Sequence, residues 1–383
     1  MSLRVELHGG LDEIDAREWD ALAGDDDPFV EHAFLRSLET SGSVGPAAGW
    51  QPVHVTVRRG GALVGALPLY AKDHSWGEFI FDFAWARAAQ RAGIAYYPKL
   101  VSMAPFTPAT GRRILIAPGE DAREITAALI AGARRAADEL DASSLHILFV
   151  THEERERAAA CGMRPRLGLQ FHWHNEGYTS FDDFLARFRS DKRKQVKRER
   201  RRVAESGLEL AVKEGPELDD REWAALARFY REGVRRHGSP EYLTPSFFDA
   251  IRATHAARVV AGFAYRRGVP VAASLAFEKG AHLYGRYWGC EEEHEFLHFE
   301  LCYYALIERA IARGLRRFEA GAQGFHKLAR GLLPSEIHSV HWIRDRRLAA
   351  AVDEYLPLEA ADTRLEMAAL AERSPFHRTS TAE

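Results

Sequence analysis

The sequence predicts an α/β protein with mixed sheets, built from two tandem units that share one element order. Three observations predict it. The order hairpin, strand, long helix, strand, helix, strand runs through the residues up to 176 and recurs after 208. The 383 residues exceed what a single hydrophobic core usually fills. Residues 282–331 read as strand, helix and strand, a crossover unit, with the glycine-spaced run Gly321-Ala322-Gln323-Gly324 just past its second strand. Open α/β sheets place their sites at that position. The expected boundaries are 1–176 for the first unit, 177–207 for a basic helical connector and 208–383 for the second unit with its terminal helices. The duplication rests on element order, since the halves share no evident identity.

In the first half, helices are expected near 15–22 and over 29–41, followed by a strand over 53–58. Arg58-Arg59-Gly60-Gly61 is a hairpin signal, and the apolar run 63–70 suits the return strand. Residues 73–113 are rich in aromatics, Pro and Gly and read as an irregular segment, more a site wall than a linker. A strand over 114–116, an alanine-rich helix over 123–140, a strand over 145–150, a helix over 153–161 and a strand over 169–174 complete the unit.

The second half offers a strand over 208–212, helices over 221–236 and 245–254, and a hairpin, 258–265 and 271–277, around Arg266-Arg267-Gly268. Bulky residues bracketed by Gly280 and Gly289 favour a strand over 282–288. Apolar residues then recur at helical steps over 297–313 (Leu297, Leu301, Ala305; Tyr304, Ile307, Ile311), and Gly314 stands where a C-cap glycine belongs. A strand over 315–319, a short helix over 328–332, a strand over 337–343 and two terminal helices follow.

With 46% hydrophobic and 28% charged residues, composition excludes disordered and fibrous classes. No uninterrupted apolar run is long enough to span a bilayer, and the start, MSLRVELHGG, has no apolar h-region, so a cytoplasmic location is expected. Cys161, Cys290 and Cys302 lack paired spacing, which fits reduced thiols. The net charge of −3 conceals a segregation: ten Lys/Arg between 187 and 202, against Asp191 and Glu199, give that segment +8 and leave −11 for the rest. Within it, Phe188, Val196 and Val203 form a narrow apolar seam.

Several runs together resemble the FemAB-like family, proteins of two tandem GNAT-type domains related to the Fem aminoacyltransferases of peptidoglycan cross-bridge synthesis. They are PFTPATGRR (105–113), FHWHNEGYTSFDDFLARF (171–188) with SDKRKQVKRERR (190–201), GRYWGC (285–290), LHFELCYY (297–304) and FEAGAQGFHKLARGLLP (318–334), ending in HSVHW (338–342). The resemblance implies transfer of an acyl or aminoacyl group to an amine, with aminoacyl-tRNA the donor in the Fem branch. The acceptor would be a peptidoglycan precursor, a peptide or a small molecule. The family pattern carries an acidic residue where this chain has Phe325.

A CoA-using GNAT domain offers the pyrophosphate a loop of small residues at a helix N-terminus. Neither half has one. The equivalent stretches read Glu291-Glu292-Glu293-His294-Glu295 and Pro118-Gly119-Glu120-Asp121, whose acids either repel a polyanion or complement a helix dipole. The basic segment is either a solvated connecting helix or a patch for phosphates of tRNA or of a phosphorylated donor, with Arg193, Lys194, Lys197 and Arg198 as anion holders. His294-Glu295-Phe296-Leu297-His298 matches H-E-x-x-H, but His294 falls before the expected helix and a third ligand is wanting, so no metal is assigned. His298 is the candidate base for an incoming ammonium. Glu300, two residues on, points to another side of the helix and is a second catalytic candidate. Lys327, fixed in charge, is the candidate stabiliser of an oxyanion, carboxylate or phosphate. Fem-type transferases carry a lysine in a comparable late run, which this position resembles. Gln323 and His326 line the same floor, and the matching runs add Arg286, Trp288, Trp173 and Tyr178 as substrate contacts. No tightly bound cofactor is expected. Two other readings stay open: an acyl-CoA-dependent N-acetyltransferase of the same fold, and a non-catalytic protein that binds RNA or a cell-wall precursor, to which Phe325 points.

Overall fold

The computed structural model describes residues 2–236, 238–322 and 324–377, which gather into two units. The first runs to Leu169 and takes in Tyr242–Thr254 and Glu336–Arg364; the second comprises Gln170–Glu241, His255–Ser335 and the chain from Leu365. The helix Pro245–Thr254 and most of the strand Leu333–Ile343, although they follow residue 208 in sequence, therefore pack with the first unit.

In the first unit the hairpin His54–Arg59 and Ala62–Leu67 pairs on one side with the strand Leu3–His8 and on the other with Leu115–Ile116. A second set has Ser144–Val150 at its centre. That strand runs parallel to Lys99–Ser102 and antiparallel to Leu333–Ile343, with Tyr70–Lys72 and Trp50–Pro52 beyond. Asp121 accepts hydrogen bonds from the N–H groups of Arg123 and Glu124 and so starts the helix Ala122–Glu139. Its Ile125, Leu129, Ala133 and Ala136 face pack on Val55, Val57 and Ile147 as the core. Small residues bring helix and sheet close: a Cβ on Gly132 would meet Val5 and Val55.

Four elements depart from expectation. Residues 73–113 hold a helix, Phe83–Arg91, and a strand, Lys99–Ser102, each too short for its period to register. The strand Leu3–His8 was hidden because its partner lies 50 residues away in sequence. The two terminal helices are one, Arg346–Glu372, with Pro357 inside it; the helix continues past a residue that removes one backbone donor.

The second unit is a sheet in the order Glu209–Glu214, Val259–Arg266, Val269–Lys279, His282–Cys290, all antiparallel, then Arg317–Glu319 parallel to the last. The parallel pairing covers His282↔Arg317, Leu283↔Phe318 and Tyr284↔Glu319 and goes no further, so the two strands part after Tyr284. The helix Asp220–Arg236 lies against the 282–290 strand so closely that a Cβ on Gly289 would run into the Phe229 carbonyl. Gly289→Ala is therefore expected to cost about 1–3 kcal/mol by overpacking, read as a lower urea midpoint at unchanged slope. An unchanged midpoint would mean that this contact yields freely.

Phe296, in the left-handed region at φ 65°, precedes the helical stretch that begins at Leu297. This stretch is α over Leu297–Phe299, π over Glu300–Tyr304 and α again over Ala305–Ala312. Apolar spacing foretold one helix. It did not show the π turn, a feature that recurs at functional sites.

Candidate active site

Where the 282–290 and 317–319 strands part, a cleft of ≈ 80 Å³ opens. One wall is Arg286, Tyr287 and Trp288; the other is His298, Cys302 and Tyr303 on the helix with the π turn, and Ala320 lies at the end of the shorter strand. The i→i+5 pattern of the π turn brings Tyr303 into line with His298, whose rings lie 5.4 Å apart. Around the His298 ring, centroids stand at 5.4 Å for Trp288, 5.5 Å for Phe299 and 5.8 Å for His326. The Tyr303 hydroxyl is 2.8 Å from His326 Nε2. The structure thus brings His298, His326, Trp288 and Arg286 to one place.

Lys327 sits in the 3₁₀ turn Phe325–Arg330 and is 1% exposed. Its Nζ donates to the Gly321 carbonyl at 2.6 Å. Burial draws its pKa down to about 7, slightly countered by the neighbouring Cys302. This corrects the expectation of a fixed charge: near neutral pH the amine is a poised acid and base. Burial also pushes the Cys302 thiol up, so it stays neutral, and lowers His326, which lies near Arg330 and Lys327.

The other expected site residues lie elsewhere. Trp173, 0% exposed, pairs through its strand with Phe318 and packs against Tyr178 and Phe184. The buried Tyr178 donates to Glu176 at 3.3 Å, and burial pushes its hydroxyl up to about 12. Neither belongs to the lining of the cleft. Gln323 falls outside the described residues. Glu300 turns away from the cleft to the helix Ser190–Ala204, where Arg200 grips it at 2.9–3.2 Å and reaches Glu308 at 2.7 Å. Burial raises Glu300 and Arg200 lowers it; the first effect is the larger.

The seam of Phe188, Val196 and Val203 is buried, together with Glu199. Glu199 accepts from both Arg330 (2.9 and 3.0 Å) and Gln195 (2.9 Å) and from the Tyr304 hydroxyl. Arg330 in turn donates to the His326 carbonyl at 2.8 Å and stacks 3.3 Å over the Phe299 ring. An acid counted only as a minority charge in a basic run is thus the residue that ties this helix to the 325–330 turn. On the outer face, Lys194, Lys197 and Arg198 are exposed and Arg193 half-buried. Lys194, Lys197, Arg198 and Arg201 border a shallow groove of ≈ 610 Å³. The lining of the 80 Å³ cleft includes none of them.

The acidic stretch is not a bare repulsive loop. Glu291 pairs with Arg228 (2.7 Å), Glu292 with Arg266 (2.7 Å) and Glu293 with Arg236 (2.8 Å). His294 lies before the helix, 3.1 Å from Arg266 and 3.3 Å from Glu292, so the H-E-x-x-H pair does not share a helical face. Among the described residues no group of three or more His, Cys, Asp or Glu side chains gathers to hold a metal ion, and no helix is long and apolar enough to cross a membrane.

A family model, FemAB-like, described as peptidoglycan biosynthesis/recognition, matches residues 10–378. The crystal structure of FemX is similar at 12% identity over 92% of this chain and 100% of its own, with a TM-score of 0.54. The C-terminal domain (DUF2156) of a putative lysylphosphatidylglycerol synthetase from Agrobacterium fabrum matches at 12% identity over 90% and 96%, TM-score 0.53. L-PGS from Bacillus licheniformis matches at 11% over 88% and 98%, TM-score 0.51. None of the curated protein sequences matches the chain. At these identities the likeness carries the fold alone, an α/β architecture with mixed sheets.

Proposed function

Since the chain belongs to the FemAB-like family, we propose that it transfers an acyl or aminoacyl group from an activated ester, aminoacyl-tRNA, to an amine. The observation that carries this reading is the neutralisable Lys327, which is not itself in the lining of the cleft but whose amine is bound to the Gly321 carbonyl, one residue past Ala320 of that lining. An amine attacks an ester only after its ammonium has lost a proton. Lys327, with a pKa of about 7, takes that proton and, once charged, neutralises the tetrahedral oxyanion as the new C–N bond forms. The same proton then leaves with the ribose oxygen when the C–O bond breaks, while the second proton, shed by the attacking nitrogen as it becomes an amide, passes to His298 in the ring cage and on to solvent.

The donor's phosphates would lie along Arg193, Lys194, Lys197 and Arg198. Neither half has the small-residue cradle that a coenzyme A diphosphate requires, which supports tRNA over acyl-CoA. Phe325, 65% exposed and 6.0 Å from the Phe171 ring, favours a second reading as a non-catalytic binder of RNA or of a cell-wall precursor. Incubation with tRNA charged with labelled amino acids and a panel of amines, beside acyl-CoA, separates the readings. Label moving from tRNA to amine supports the proposal; label moving from CoA alone, or a tRNA complex that yields no product, overturns it. Within the proposal, Lys194→Glu/Lys197→Glu/Arg198→Glu should raise KM for the charged tRNA and flatten the slope of log K against log salt by about 2–3. An unchanged slope would remove the phosphates from this helix.

A further inference from the structure

Arg286 is the extra residue of a bulge: Leu275 pairs with Tyr287 and Ala276 with Gly285, so the 282–290 strand carries one residue more than its neighbour. Bulges re-aim side chains beside sites, and this one puts Arg286 in the lining of the cleft, its guanidinium 5.2 Å from the Tyr287 ring. Burial lowers its pKa from the ordinary value yet leaves an arginine charged. The Tyr287 and Tyr303 hydroxyls and the Cys302 thiol are pushed up by burial and stay neutral. Among the described residues that line the cleft, Arg286 is therefore the one charged at every working pH. Arg286 hydrogen-bonds the Tyr287 side chain and lies in the field of Glu319, which Arg317 also holds at 3.0 Å, so a ligand anion would join these partners.

A positive charge walled by aromatic rings favours an anion, and the planar fork of an arginine matches a carboxylate. A cleft of ≈ 80 Å³ admits the end of a small molecule. In an aminoacyl ester the carboxyl carbon is the electrophile and bears no charge, so a carboxylate here belongs to the acceptor. We propose that Arg286 determines acceptor specificity by seating the carboxylate of the incoming amine, so that acceptors are amino acids or peptides with a free carboxylate. This rests on the transferase reading for its meaning, while its test does not.

Calorimetry with glycylglycine, glycylglycine amide and inorganic phosphate, on the full chain and on Arg286→Gln and Arg286→Lys, reads the carboxylate preference without turnover. The expected result is at least about tenfold tighter binding of the acid than of the amide. That preference should vanish in Arg286→Gln and partly persist in Arg286→Lys, which keeps the charge should the glutamine variant fold poorly. In transfer assays the ratio of kcat/KM for acid over amide should fall to about 1 in Arg286→Gln. Equal or absent binding of acid and amide, or a preference that survives Arg286→Gln, overturns the proposal. Phosphate that binds more tightly than the dipeptide, and loses that in Arg286→Gln, overturns it in favour of a donor phosphate. If no donor supports transfer yet the Arg286-dependent preference is measured, the transferase reading fails and this one stands.

Discussion

Lys327→Met should lower kcat by about 10²–10⁴-fold, the usual range for loss of a positioned acid–base group, while leaving a folded protein. In the parent protein kcat/KM should climb as pH rises through about 7, because the amine must be free to accept a proton. The methionine variant should lose that limb along with the rate. The substitution has a thermodynamic partner with a definite sign. A lysine whose folded pKa is about 7, against about 10.4 unfolded, binds fewer protons when folded throughout that interval. Stability therefore rises with pH from 7 to 10, and below 7 the full cost of burying the ammonium is present, on the order of 4 kcal/mol. Methionine has no such cost. Lys327→Met should accordingly be more stable than the parent at pH 6 and lose most of that advantage by pH 10. A variant that is inactive and also less stable at pH 6 would show that the amine is merely a strut through its bond to Gly321.

The sequence made the α/β class legible because hairpin turns, the alanine-rich face of 122–139 and the 297–313 periodicity are local signals. It placed the cleft beside the glycine run for the same reason: a crossover strand ends there. What it could not show is set by pairing across the chain. Arg286 reads as one residue of an aromatic strand, and its standing as the bulged residue depends on a partner strand ten residues earlier. Trp173 and Tyr178 look like site aromatics until packing closes Phe184 over them. Lys327 reads as a charge stabiliser fixed in its charge, since burial, which alone moves its pKa to the working range, leaves no mark on composition. The acids of 291–293 likewise looked repulsive because the arginines that pair with them come from 228, 236 and 266.

Glu199 is the sharpest instance, and it carries the second large expectation. Its carboxylate is 2% exposed and takes bonds from Arg330, Gln195 and Tyr304, so the energy of the arrangement is that of a buried ion pair. Removing one partner leaves an uncompensated charge in a poorly solvated place: Glu199→Ala is expected to cost about 3–5 kcal/mol. Replacing both with apolar residues of similar size removes two desolvation costs at once, so Glu199→Leu/Arg330→Met should recover most of the loss. Stability and function are expected to diverge there. Arg330 also holds the His326 carbonyl, and that bond fixes the turn bearing His326 and Lys327. The double variant should therefore regain its urea midpoint yet remain slow in transfer, with kcat affected more than KM for the amine. Recovery of both together would show that the pair contributes packing alone, and that the 325–330 turn keeps its shape without Arg330.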